Sequence, residues 1–209
     1  YADYSGCSVS LSSDGSIVAI GADGNEGTDG SGDRGHVRIY QYSGGSWTQL
    51  GSEIDGEAKN DKSGNSVSLS DDGTIVAIGG KHNDGNGNKS GHVRIYQYSG
   101  GSWNQLGSDI DGEATGDYSG DSVSLSDDGS IVAIGARFND ATAGASGHVR
   151  IYQWDGSSWN QLGSDIDGEA YADYSGCSVS LSSDGSIVAI GADGNEGTDG
   201  SGDRGHVRI

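Results

Sequence analysis

Three acidic stretches between apolar segments carry carboxylates at a shared spacing. Asp109, Asp111, Glu113 and Asp117 hold positions 1, 3, 5 and 9 of one stretch; Asp165, Asp167, Glu169 and Asp173 repeat it 56 residues on. Glu53, Asp55, Glu57 and Asp61 form a weaker version. Calcium takes six to eight oxygen ligands and tolerates irregular loops, so these acids are a candidate site with calcium as the candidate cofactor. The glycine at position 4 is not where an EF-hand loop places its sharp turn. The competing reading is a solvated acidic turn whose Asp side chains bond local backbone N–H groups.

A second constellation is defined by variability. Asp23, Asn25 and Asp29 lie in one Gly/Asp-rich loop, Lys81, His82, Asn83 and Asp84 in its counterpart, and Arg137, Phe138, Asn139 and Asp140 in a third. Everything around these loops recurs, whereas they differ. Variable loops on a constant scaffold are the expected contact surface for a glycan or a cell-surface protein, the alternative being tolerated drift. Asn88, Lys89 and Ser90 form a glycosylation sequon, which matters for a protein secreted by a eukaryote.

His36, Arg38 and Tyr40 suggest catalysis at first sight. They recur as His92, Arg94 and Tyr96 and as His148, Arg150 and Tyr152. One active site needs its groups once, so recurrence marks them as parts of the repeating unit, with Arg38 expected to lie on Tyr40 and meet a neighbouring Asp. No Ser/His/Asp order or Cys/His pair stands out. The Gly-rich loops open no helix, so they lack the geometry of a phosphate cradle. The expectation is a protein that is not an enzyme.

The elements that carry these residues follow from the repeat. Residues 1–39 reappear unchanged as 171–209, and two varied copies lie between, giving units at 1–58, 59–114, 115–170 and 171–209. In the first unit Ser8 to Ser12 alternates polar and apolar, the period of a half-buried strand. Asp14-Gly15 follows, a hairpin signal that predicts a type I′ turn with positive φ at both residues, as do Asp72-Gly73, Asp128-Gly129 and Asp184-Gly185. Ile17, Val18, Ala19 and Ile20 are apolar on both faces, so this strand and its counterparts at 75–78, 131–134 and 187–190 are expected between layers as the most buried residues. Gly21 and Ala22 leave room for another backbone. A third strand runs from His36 to Tyr42, with Val37 and Ile39 on one face. A fourth is expected from about Trp47 to Ile54, after the turn at Gly44-Gly45.

Four antiparallel strands per roughly 56 residues describe a β-propeller blade, so the fold class is all-β with three full blades and three strands of a fourth, about 3.75 in all. The run Tyr4, Ser5, Gly6, Cys7, Ser8, Val9, Ser10, Leu11, then Asp14-Gly15, then Ile17 to Ala22 resembles the FG-GAP repeat of integrin-α-type propellers. Gly35 to Tyr40 and Trp47 fit the secreted bacterial and algal variety. The resemblance implies rings of seven blades, which this chain would complete with further repeats or another copy. The aromatic-Gly pair has become Tyr-Ser-Gly, and the Pro after Gly-Ala is absent. Ser13 to Ser16 is too short to wrap the integrin-type calcium ion, so that site is not implied.

With 11 Lys and Arg against 31 Asp and Glu, the net charge of −20 argues against nucleic acid and anionic membranes as partners. No apolar run approaches the roughly 20 residues of a membrane helix. Cys7 and Cys177 are too few for a disulfide framework and are expected as free thiols. Acidity and near-identical units point to an extracellular or cell-surface protein, structural or adhesive, that associates with further copies of its own repeat. A calcium-dependent or lectin-like ligand-binding propeller is the alternative.

Overall fold

The computed structural model describes residues 3–26, 32–195 and 205–209. It contains strands and no helix among them. Each repeat folds as one antiparallel sheet. In the first blade β1 (Ser8–Leu11), β2 (Ile17–Ala22), β3 (His36–Ser43) and β4 (Ser46–Gln49) lie side by side in chain order, and β5 (Ile54–Asp55) also pairs with β3. The second repeats this with β6 (Ser63–Leu69), β7 (Ile75–Gly80), β8 (His92–Ser99), β9 (Ser102–Gln105) and β10 (Ile110–Asp111). The third comprises β11 (Ser122–Leu125), β12 (Ile131–Ala136), β13 (His148–Trp154), β14 (Trp159–Gln161) and β15 (Ile166–Asp167). A fourth, three-stranded sheet holds β16 (Ser175–Leu181), β17 (Val188–Ala192) and β18 (His206–Arg208). These are the meander blades of a β-propeller.

Two local expectations are corrected. The Asp-Gly hairpins are not two-residue type I′ turns. Only the glycine adopts positive φ, +69° at Gly15, and Ser12 to Ile17 closes a four-residue loop. Asp14 explains the preference: its Oδ1 accepts hydrogen bonds from the Ser12 hydroxyl and the Ser16 amide, both 2.8 Å. Positive φ at both residues occurs instead at Gly44 and Gly45, where Ser43 pairs with Ser46. The fourth strand is not continuous either, because β4 stops at Gln49 and β5 resumes at Ile54. The break leaves the Leu50 carbonyl free to accept the Trp103 indole N–H of the next blade at 2.8 Å. Gly51, at φ +73°, lies so close to Trp103 that a Cβ there would come within 2.9 Å of the ring.

The apolar core is divided among the joints between sheets. Ile17, Ala19, Val37, Ile39 and Ile54 of the first blade pack on Leu69, Val76, Ile78 and Tyr96 of the second. Ala77, Val93, Ile95 and Ile110 meet Leu125, Val132, Ile134 and Tyr152 in the same way. The expected burial of the second strands holds for Val76, Ala77 and Ile78 and for Val132, Ala133 and Ile134, which have a blade on each side, whereas Ile75 and Ile131 at the start of these strands are only partly buried. Val18 and Ile20 are half-exposed on the first blade, and Ile187 is exposed on the fourth.

Glycine sets how closely the blades approach. Gly21, Gly79 and Gly135 face the carbonyls of Gly64, Gly120 and Gly176 on the following blade, and a Cβ would stand 2.0 to 2.1 Å from each oxygen. Those oxygens accept hydrogen bonds from Ser8, Ser66 and Ser122 hydroxyls at 2.7 to 2.8 Å. Further along, Ser10, Ser68 and Ser124 hydroxyls accept the amides of Leu69, Leu125 and Leu181 at 2.9 to 3.0 Å. The polar positions of the first strand, which look solvated in a period-2 reading, are the hydrogen-bonding half of the joint.

Candidate functional site

The acidic connections do not gather their carboxylates at one point. Among the described residues, the groups of three or more metal-competent side chains are Glu57, His92 and Asp109, and Glu113, His148 and Asp165, with ligand atoms within 4.8 Å of one another. Asp109 and Glu113, four residues apart, thus belong to different clusters on successive joints. The extended pair Ile110–Asp111 between them pairs with β8 and carries the chain from one joint to the next. The four-acid calcium set is corrected accordingly: Asp109 with Asp111, Glu113 and Asp117, and Asp165 with Asp167, Glu169 and Asp173, are not single sites. Asp117 is buried, and its Oδ2 accepts the Ala114 amide at 3.0 Å and the Asn139 side-chain amide at 2.9 Å. Asp173 accepts the amides of Glu169 and Ala170 at 3.1 and 2.9 Å. The ninth position is therefore the backbone-holding turn that the competing reading describes. Glu169 is exposed, as is Asp111.

Sequence reasoning missed the histidines as members of these clusters, although their 56-residue recurrence matches that of the acids. His92 and His148 open β8 and β13, and their side chains are 1% exposed. His92 Nδ1 lies 3.5 Å from Asp109 Oδ2. His148 Nδ1 lies 3.7 Å from Asp165 Oδ2 and 4.0 Å from both Glu113 Oε2 and Asp167 Oδ1. Burial pushes the His148 pKa down and Arg150 adds to this, against the pull of Asp165 and Glu113. His92 Nδ1 nearby is the largest influence holding the Asp109 carboxyl at about 2, although their separation is longer than a closed hydrogen bond.

The arginines do not meet a neighbouring Asp side chain. Arg94 Nη2 donates to the Asp55 carbonyl at 2.7 Å, Arg150 Nη2 to the Asp111 carbonyl at 2.8 Å, and Nη1 of each lies 3.5 to 3.6 Å from Glu57 or Glu113. The guanidinium lies over the tyrosine two residues on, 5.6 Å from the ring centre in both. Arg38, in the first described blade, binds Glu53 of its own blade through Nε and Nη2, each at 2.8 Å.

The second and third variable loops converge on Asp121 and Tyr118, but most of their candidate ligand residues are engaged in the fold. Asn83 and Asn139 are buried, bridging Asp61 and Asp117 to the amides of Gly85 and Ala141. Asp84 and Asp140 accept the amides of Lys89 and Ala145. Lys81 and Arg137, from adjacent blades, both reach Asp121 at 3.0 Å. His82 and Phe138 join Tyr118 and Tyr174 in a run of ring contacts at 5.0 to 5.4 Å that crosses the blades. Asp23 and Asn25 are half-buried, and Asp29 lies outside the described residues. Asn88 is exposed, while the Ser90 hydroxyl of its sequon is buried on the Asn83 carbonyl. Cys7 and Cys177 are free thiols.

This architecture places the chain among β-propeller-type folds. No family model and no curated protein matches it. Among solved structures it is similar to a putative 6-phosphogluconolactonase from Bacteroides uniformis ATCC 8492, with a TM-score of 0.56 at 12% identity over 88% of this chain and 46% of that one. A second protein so described, from Bacteroides fragilis NCTC 9343, gives 0.52 at 14% identity over 77% and 38%. The chain thus spans less than half the length of these neighbours, and at such identities the likeness is one of fold.

Proposed function

We propose that this chain is an extracellular structural or adhesive repeat protein that extends itself blade on blade, as in a filament, sheath or surface layer. The observation that carries the reading is a pair of identical sequences in two environments. Ile17 and Val37 are 7% and 0% exposed against the second blade, whereas their copies Ile187 and Val207 are 55% and 66% exposed. At the other end Val9 and Leu11 are exposed where Val179 and Leu181 pack on the third blade. The two open faces are therefore the two halves of a joint the chain already makes three times. Burying such a face removes apolar area from water at about 25 cal/mol per Å². Arg38, folded back on Glu53, is a half-joint without its partner blade. The resemblance to FG-GAP repeats supports placement at a cell surface. The recurrence of His, Arg and Tyr in each of the first three blades supports a non-catalytic role on a fold that the neighbours use under another description.

The run of rings from His82 through Tyr118 and Phe138 to Tyr174 favours a second reading, a rim that stacks on glycans or a protein ligand. Light scattering with electron microscopy separates the two. Self-assembly that rises with concentration, and is lost in both Ile187→Asp and Leu11→Asp, is the expected result. A parent chain that stays a compact monomer at high concentration refutes the structural reading, and one that also binds a glycan through this rim supports the second.

A further inference from the structure

Each complete cluster at a joint contains an imidazole nitrogen that the protein does not satisfy. The Nδ1 atoms of His92 and His148 are fully buried and have no hydrogen-bond partner, and His92 Nε2 has none either. A buried polar atom left unpaired costs free energy and calls for an explanation. His92 Nε2 is turned against the backbone of Gly80, where a Cβ would stand 2.8 Å away. Its Nδ1 is the nitrogen aimed at the carboxylates. A proton on Nδ1 would face Asp109 Oδ2 at 3.5 Å, too far for a closed hydrogen bond, and a neutral ring with its proton on Nε2 would set a lone pair against anionic oxygens; a cation between them would satisfy both groups.

The spacing fits such a cation. The nitrogen-to-oxygen distances of 3.5 Å at His92 and 3.7 to 4.0 Å at His148 are too long for hydrogen bonds. Donors held about 2.0–2.1 Å from a tetrahedral zinc ion stand roughly 3.3 Å from one another, whereas the ligand atoms of each cluster lie within 4.8 Å, so side-chain rotation of the half-exposed glutamate is what would close the shell. The donors also select the metal. One imidazole with two carboxylates suits zinc or a similar first-row divalent ion. Calcium wants six to eight oxygens and finds too few. Glu57 and Glu113 are 46% and 45% exposed, which leaves a solvent side where water completes the coordination.

We propose that Glu57, His92 and Asp109, and Glu113, His148 and Asp165, are two equivalent sites for a zinc-class divalent cation that staple consecutive blades. The staple crosses the joint because Glu57 and Glu113 leave the preceding blade, whereas the His and Asp ligands belong to the following one. Arg94 and Arg150 hold the outer oxygens of the same glutamates and are themselves tethered to backbone carbonyls. His36 has Glu53 at 3.9 Å but no crossing glutamate among the described residues, so the count is two per chain. This inference is independent of whether the open faces assemble.

The test is titration of chelator-stripped chain with zinc by calorimetry, and with cobalt(II) by visible absorption, against Glu57→Gln, Glu113→Gln and the double variant. The glutamates are half-exposed, so these variants are expected to fold as the parent does. The parent should bind two equivalents, each single variant one at the parent's affinity and one at least tenfold weaker, and the double variant none tightly. Zinc should raise Tm by several degrees, with calcium at the same ionic strength leaving it in place. No saturable zinc binding up to millimolar concentration, a stoichiometry unchanged in the double variant, or calcium binding as tight as zinc would each overturn the proposal.

Discussion

Gly135→Ala tests the blade joint at its closest point. The φ of Gly135 is one that alanine adopts readily, so the effect is steric. The new Cβ would meet the Gly176 carbonyl oxygen at 2.1 Å and the Ser122 Oγ at 2.4 Å. The hydroxyl can rotate away, but the carbonyl is backbone and is already held by Ser122 at 2.8 Å. Ordinary contact needs more than 1 Å of separation beyond this, across a joint whose Ala133 and Val149 side chains are fully buried. Forced overpacking of a well-packed core costs about 1–3 kcal/mol, and a backbone that must move belongs at the upper end. For a chain of this size about 3 kcal/mol corresponds to a Tm loss of roughly 6–12 °C. Gly191→Ala is the internal control. The same position on the fourth blade would meet Ser178 Oγ at 2.3 Å and no carbonyl of a following blade. Scanning calorimetry on dilute protein should therefore show a large loss for Gly135→Ala and at most a third of it for Gly191→Ala. Equal losses would place the strain inside the blade, and a Gly135→Ala protein melting within a degree of the parent would refute the close backbone approach.

Two further outcomes follow from burial. Val132→Asp puts an uncompensated carboxylate at a position with no exposed surface, at a cost of about 3–5 kcal/mol, whereas Val9→Asp at an exposed site should change stability by less than about 0.5 kcal/mol. Urea denaturation of both variants checks this, and equal midpoints would remove β12 from between two layers. Burial also depresses the pKa of His148 and of His36 below 6.5. The unfolded chain then binds more protons than the folded one once pH drops under 6.5, so stability is full above that value and falls below it. In metal-free buffer the urea midpoint should decline between pH 6.5 and 5, above the range where Asp109, held at about 2, begins to protonate. His148→Gln should flatten that decline; a midpoint independent of pH there would contradict a neutral buried imidazole.

Strand positions were largely readable along the chain, because alternation at Ser8 to Leu11 and an unbroken apolar run at Ile17 to Ile20 are local consequences of what a strand must bury. Turn geometry was less so. Asp14-Gly15 signals a turn, but the Asp14 carboxylate can bond Ser12 and Ser16 only in the longer loop, and that choice is invisible in a dipeptide. The break between Gln49 and Ile54 recurs between Gln161 and Ile166, where no Trp follows, and the partner that takes the freed Leu50 carbonyl is Trp103, 53 residues away. In the variable loops Asn83, Asn139, Asp84 and Asp140 hold the loops themselves, a role that spacing alone does not distinguish from ligand binding.

The all-β class, the repeat and its blade-sized unit are legible along the chain, because period, hydropathy and glycine placement are properties of single strands and their turns. Which acids act together depends on how the sheets stack. Asp109 and Glu113 are neighbours along the chain and members of different clusters in space, because an extended pair of residues carries the chain from one joint to the next. His92 and Glu57 are 35 residues apart and share one cluster, because a joint is made by stacking two sheets. Chain order records the contacts within a blade, whereas the metal-competent clusters belong to the surfaces between blades.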